Sequence, residues 1–190
     1  MNKKLLLITH IADEDGITPI ILAKQVYENV DTMLLNPGEV DEKLMENIEK
    51  YDMIHITDLS ISEHLAKKIE EKYKDKIKLF DHHATALYLN KYSFAKVVVE
   101  ENGKKESATS LYYKYLKSKF KSDFLNKDSL KGLVEQVRLV DTYDFKTEKE
   151  KEAINLDYLF SILGKENYVE YFTKYIKEKN KFKYTEKEKF

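Results

Sequence analysis

Apolar and polar positions along this chain follow two rhythms. In the first hundred residues, apolar runs of strand length cover residues 4–9, 32–35, 53–57 and 77–80. Between them, apolar residues recur at helical spacing over residues 20–30, 40–50 and 62–73. Gly16 and Pro19 fall between the first strand and the first helix, Asn36-Pro37-Gly38 closes the second strand as a turn, and Ser62 stands where a helix cap belongs. Residues 93–100 read as a fifth strand, turned by Asn102-Gly103. Strands alternating with helices imply βαβ units, hence an α/β fold with a parallel sheet of about five strands flanked by helices. From Ser107 the pattern turns helical over residues 107–120, 129–140, 148–163 and 166–179. The last of these carries Tyr168, Phe172, Tyr175 and Ile176 on one side.

Charge and composition narrow the chemistry. The 33 basic and 34 acidic side chains cancel, so no bulk field argues for nucleic-acid or membrane binding. The chain has no cysteine, which excludes disulfides and thiolate metal sites and leaves metal binding to His and carboxylates. Arg138 is the only arginine, so a phosphate clamp must draw on Lys, His, backbone N–H or metal. The run Leu5-Leu6-Leu7-Ile8 is too short for a signal core or a membrane span, and a cytoplasmic protein is the expectation.

In open parallel sheets, functional groups gather beyond the carboxyl ends of the strands. Here the first strand is followed by His10, Asp13, Glu14, Asp15 and Gly16, the third by Asp58, and the fourth by Asp81-His82-His83. Imidazoles and carboxylates in this mixture suit a divalent transition metal. Asp13 and Asp15 can each serve a different ion, with Asp58 bridging through its two oxygens. Two ions held roughly 3.5–4 Å apart clamp the attacking and leaving oxygens of a phosphoryl displacement and make water a nucleophile near neutral pH. Each cluster also has a plain reading. Asp58 can form a turn, the paired histidines can lie on the surface, and Asp13 to Asp15 can be a solvated acidic loop. Their convergence on one sheet edge favours the metal site. His55 and His64 are expected to be structural, Tyr112, Tyr113, Tyr115 and Phe120 to be core and rim, and Glu14 to be a solvated neighbour. Gly16 is expected to let the loop turn sharply into the helix without a Cβ in the way.

Asp81-His82-His83 at a strand end, with His10, Asp13-x-Asp15-Gly16 and Asp58 upstream, resembles the DHH phosphoesterase superfamily. The segments 56–60, 81–87, 107–111 and 140–143 are most similar to its nanoRNase B (oligoribonuclease) branch. The resemblance implies that His10, Asp13 and Asp58 hold one Mn2+ and that Asp15, Asp58, His82 and Asp141 hold a second, with Mg2+ or Co2+ as substitutes. It implies that His83 contacts the scissile phosphate or acts as general acid, and that Asp81 orients a ligand histidine. Asp141 enters through the resemblance, since the residues alone place it only at a helix end beside Asp144. Ser107 and Thr109 are expected to cap a helix near the site, a phosphate contact being the alternative.

The implied activity is manganese-dependent hydrolysis of short RNA or DNA oligonucleotides to mononucleotides. The alternatives are a cyclic-dinucleotide or 3′-phosphoadenosine phosphate phosphatase, or a non-catalytic scaffold. Expected partners are oligonucleotides or other phosphate esters and a second copy of the chain, with no membrane. Many relatives have three residues between the first His and Asp, whereas Ile11-Ala12 gives two, so the loop must bend differently. The expected division is a catalytic unit over residues 1–145 and a helical extension over residues 146–190. That extension leads toward a DHH-associated domain whose glycine- and histidine-rich motif does not occur by Phe190. A domain of a longer protein or a reduced form is the expectation.

Overall fold

The computed structural model describes residues 3–144 and 150–184. Strands β1 (Lys4–His10), β2 (Asn29–Leu35), β3 (Met53–Thr57), β4 (Ile77–Asp81) and β5 (Ala95–Val97) form one parallel sheet in the order β2-β1-β3-β4-β5. The helices are α1 (Glu14–Lys24), α2 (Val40–Asn47), α3 (Glu63–Lys72), α4 (Ala108–Lys119), α5 (Asp123–Asn126), α6 (Asp128–Asp141) and α7 (Glu150–Glu178). Strands β6 (Glu100–Glu101) and β7 (Lys104–Lys105) pair across Asn102 and Gly103, both at positive φ as a tight hairpin demands.

The sheet is buried on both faces, which explains why its central strands read as continuous apolar runs. Leu5, Leu7 and Phe80 face α1, α4, α6 and α7, while Leu6, Ile8, Ile54, Ile56 and Leu79 face α2 and α3. Helix α7 contributes Leu156, Tyr168 and Phe172 to the same core as α1 and α6, and is interrupted at Gly164, where φ is +69°. The break falls between the two C-terminal helices expected from the sequence; the expected start at residue 148 lies outside the described residues, as do residues 185–190. His55 is buried in the core, its Nδ1 at 2.9 Å from the Tyr112 hydroxyl. Among the described residues no helix is long and apolar enough to cross a membrane.

Several boundaries differ from expectation. Helix α1 begins at Glu14 instead of residue 20, because Asp13 caps it by accepting from the Gly16 N–H, and it ends at Lys24, ahead of residue 30. Pro19 therefore lies inside the helix. A proline there costs on the order of 3 kcal/mol. Ile17, Ile21 and Leu22 are fully buried, and roughly 1.5–3 kcal/mol for each outweighs that cost. Asn29 and Val30, expected to be helical, open β2 by pairing with Lys4 and Leu5. The fifth strand keeps only Ala95–Val97 of the expected span.

Candidate metal centre

The strand order changes direction between β1 and β3, and in such sheets ligands bind where neighbouring connections leave on opposite faces. His10 ends β1, Asp58 follows β3 directly, and Asp81 ends β4 beside His82 and His83. Asp58 has φ +56°, a left-handed conformation that Asp tolerates better than most residues and that commonly marks functional sites.

All six residues expected as metal ligands come together. His10 Nδ1 lies 3.2 Å from Asp13 Oδ2 and 3.3 Å from Asp58 Oδ2. His82 Nε2 lies 3.4 Å from Asp58 Oδ1, 3.3 Å from Asp141 Oδ2 and 3.7 Å from Asp15 Oδ2. Asp58 thus faces one group with each oxygen. Donor atoms of His10, Asp13 and Asp58, and likewise of Asp15, His82 and Asp141, lie within 4.8 Å of one another. The shorter His10–Asp13 loop still closes this approach. Asp144 stands apart, at 3.1 Å from the Arg138 guanidinium.

Asp15 is the most tightly held member. Its Oδ2 accepts from the Ala108 N–H at 2.8 Å and its Oδ1 from the Thr109 N–H at 2.9 Å, at the N-terminus of α4. Ser107 caps that helix through the Ser110 N–H, so the hydroxyl it contributes is structural. The Thr109 hydroxyl donates to the Asp15 carbonyl at 3.0 Å. That carbonyl would ordinarily accept from residue 19, but Pro19 has no N–H, and Thr109 takes the vacant acceptor. The signal in the sequence is a proline four residues after a site aspartate. Gly16 is needed for the reason expected, since a Cβ would be in the way where the loop enters the helix. It lies within α1, and a Cβ there would stand 2.1 Å from the His10 carbonyl oxygen.

The electrostatics call for a cation. Among the described residues, the ion pairs of Asp13, Asp15, Asp58 and Asp141 are with histidines only. Burial, then the Asp58 and Asp141 charges, hold the Asp15 carboxyl well above its ordinary range. Burial likewise pushes Asp141 up to about 6. At His82 burial favours the neutral ring, yet Asp58, Asp15 and Asp141 together outweigh it and push the imidazole up to about 9. Asp58 Oδ1, His82 Nε2 and Asp141 Oδ2 are buried without a hydrogen-bond partner. Buried polar atoms are rarely orphaned, and three around one point fit the donor set of a divalent ion.

Asp81 Oδ1 accepts from the backbone N–H of His82 at 2.7 Å and of His83 at 3.2 Å, and lies 2.8 Å from His83 Nδ1. The ring it fixes is therefore that of His83, while it holds His82 through the backbone. Glu14, expected to be solvated, is only 3% exposed, and burial pushes its carboxyl up to about 7. It borders a cavity that residues of α6 and α7 also line, surroundings that local sequence does not reveal.

The comparisons with known proteins bear on this geometry. The chain is 32% identical over 163 residues to the oligoribonuclease NrnB of Bacillus subtilis (strain 168), a match covering 80% of this chain and 40% of that protein. This chain belongs to the DHH superfamily. No family model matches it. An uncharacterized protein from Helicobacter pylori G27 shares the fold with a TM-score of 0.72 at 21% identity, over 92% of this chain and 56% of that one. The chain thus spans about two fifths of the curated DHH relative's length. The tripeptide that names the superfamily is here Asp81-His82-His83, at the end of β4 in the centre of the site.

Proposed function

We propose that this chain is a manganese-dependent phosphodiesterase that hydrolyses short oligonucleotides to mononucleotides. The observation that carries the reading is Asp58, whose two oxygens face separate His-carboxylate groups only 3.3–3.4 Å away. His10, Asp13 and Asp58 would hold one ion, and Asp15, Asp58, His82 and Asp141 the other. When bound, the pair supplies positive charge against the phosphate oxygens and the acidity that turns a water into a nucleophile near neutral pH. The similarity to a protein named an oligoribonuclease supports nucleotide phosphodiesters as the substrate class.

The chain's own residues fix the rest. The N–H groups of Ala108 and Thr109 hold the Asp15 carboxylate in one orientation, so a ligand pocket exists before any ion arrives. His83 Nδ1 faces Asp81, which raises the imidazole above its ordinary value and leaves Nε2 to carry a proton toward the cavity. In the reaction the water oxygen bonds to phosphorus and its proton passes to solvent, the bond from phosphorus to the departing sugar oxygen breaks, and His83 Nε2 gives that oxygen its proton. Purified chain with Mn2+ and end-labelled dinucleotides to pentanucleotides tests the reading. Release of mononucleotides that requires metal and falls at least 100-fold in H83A is expected. No turnover by the metal-loaded wild type contradicts it.

A further inference from the structure

The cavity on the cluster has a volume of about 510 Å³, and part of its lining has no use for phosphate. Besides its imidazoles and its carboxylates, which include Asp157 of α7, the cavity has an apolar wall of Val137, Val140, Ala153 and Ile154, and Tyr143 also lines it. Inorganic phosphate or pyrophosphate gains nothing from such a wall. A cavity this large belongs to the range that takes whole organic ligands.

Tyr143 is held in an unusual way. Helix α6 ends with the Tyr143 N–H donating to the Val140 carbonyl at 3.2 Å and the Asp144 N–H to the Leu139 carbonyl at 3.2 Å. This double bond pattern is the Schellman ending, and its left-handed position usually belongs to glycine. Here it is Tyr143, at φ +53° and with 73% of its surface exposed. The turn is locked on both sides, by Arg138 pairing with Asp144 and by the Thr142 hydroxyl on the Arg138 carbonyl at 2.7 Å. The backbone that carries this large aromatic side chain is thus fixed two residues from Asp141, where a glycine would be the easier choice. Glu14 lines the same cavity, and its Oε1 is buried without a hydrogen-bond partner. A base amino group would satisfy it.

Resting on the phosphodiesterase reading above, we propose that the apolar wall is a nucleobase subsite. The base adjoining the bound phosphate stacks on the Tyr143 ring, and where that base carries an amino group Glu14 accepts from it. Every base offers a π-face, so the subsite selects nucleotides over other phosphate esters. A single stacked base is worth about 5- to 150-fold in affinity.

The test uses the Mn2+-loaded chain and 2-aminopurine riboside 5′-monophosphate, whose fluorescence falls when its base stacks. Ribose 5-phosphate, which lacks the base, is titrated as competitor. Wild type should quench the fluorescence and bind the base-bearing ligand at least about 5-fold more tightly than ribose 5-phosphate. Y143F should keep both effects. Y143A and Y143G should lose the quenching and bring the ratio toward one, the glycine variant removing the ring while suiting the left-handed backbone. Equal binding of the two ligands by wild type, or quenching that survives in Y143G, overturns the subsite but leaves the phosphate site standing. Binding of neither ligand overturns the phosphodiesterase reading itself, and the subsite with it.

Discussion

Asp58 Oδ1 and His82 Nε2 stand 3.4 Å apart, both buried, and neither forms a hydrogen bond. Two polar atoms so close ordinarily share a proton. Facing each other without hydrogen-bond geometry, and with Asp141 Oδ2 also orphaned beside them, they are arranged as donors to a third party. The fold enforces this arrangement, because Asp58 and His82 sit at the ends of adjacent parallel strands.

Proton release should accompany metal binding. In the metal-free protein His82 is pushed up to about 9, so it is protonated at pH 7, whereas a ligating imidazole must be neutral. Metal affinity should therefore rise about tenfold per pH unit between 7 and 9. The folded, metal-free chain binds this proton more tightly than the unfolded chain does, at the ordinary value of 6.5. The stability it contributes is complete below pH 6.5 and is lost as pH rises through 9. Calorimetry at pH 7 in two buffers of different ionisation enthalpy should report about one proton released per metal-loaded chain. No release would contradict the assignment of His82.

Gly16→Ala should damage the centre from outside it. The added Cβ would lie 2.1 Å from the His10 carbonyl oxygen and 2.9 Å from the His10 Cβ, so β1 and α1 must separate. Overpacking of this kind costs about 1–3 kcal/mol. Because His10 and Asp13 lie on the strand and loop that move, manganese affinity should fall together with the melting temperature. A variant with wild-type values of both would refute the close-approach account.

Thr109 and Pro19 should be energetically coupled. Thr109→Val leaves the buried Asp15 carbonyl unpaired, which costs about 1–3 kcal/mol. Pro19→Ala restores the N–H four residues on, so the same valine substitution should cost less in that background. Urea unfolding of both single variants and the double variant completes the cycle. Strictly additive costs would show that the hydroxyl does not replace the missing helix bond.

Much of this architecture was legible in the chain. The alternation of strands and helices, the cap at Ser62, the Asn102-Gly103 hairpin and the gathering of His10, Asp58 and His82 at one sheet edge all follow local patterns. The first helix was misplaced because Gly16 and Pro19 read as breakers. Asp13 caps the helix and Thr109 supplies a partner from 94 residues away, so neither residue breaks it. The start of β2 was missed because Asn29 and Asp31 are polar and exposed, and only pairing with β1 defines the strand there. Glu14 reads as solvated for a similar reason, since the α6 and α7 residues that line a cavity with it are far away in the chain. The left-handed backbone of Tyr143 leaves no mark in a sequence where glycine is the expected signal.

In the proposed function one carboxylate, that of Asp58, joins two ion sites. Manganese titration of wild type and Asp58→Asn, followed by calorimetry, addresses it directly. Wild type should take up two ions per chain, and the asparagine variant should weaken both together, since each loses a charged oxygen. A wild type that binds a single ion, or a variant that loses one ion while holding the other at wild-type affinity, would contradict the bridge.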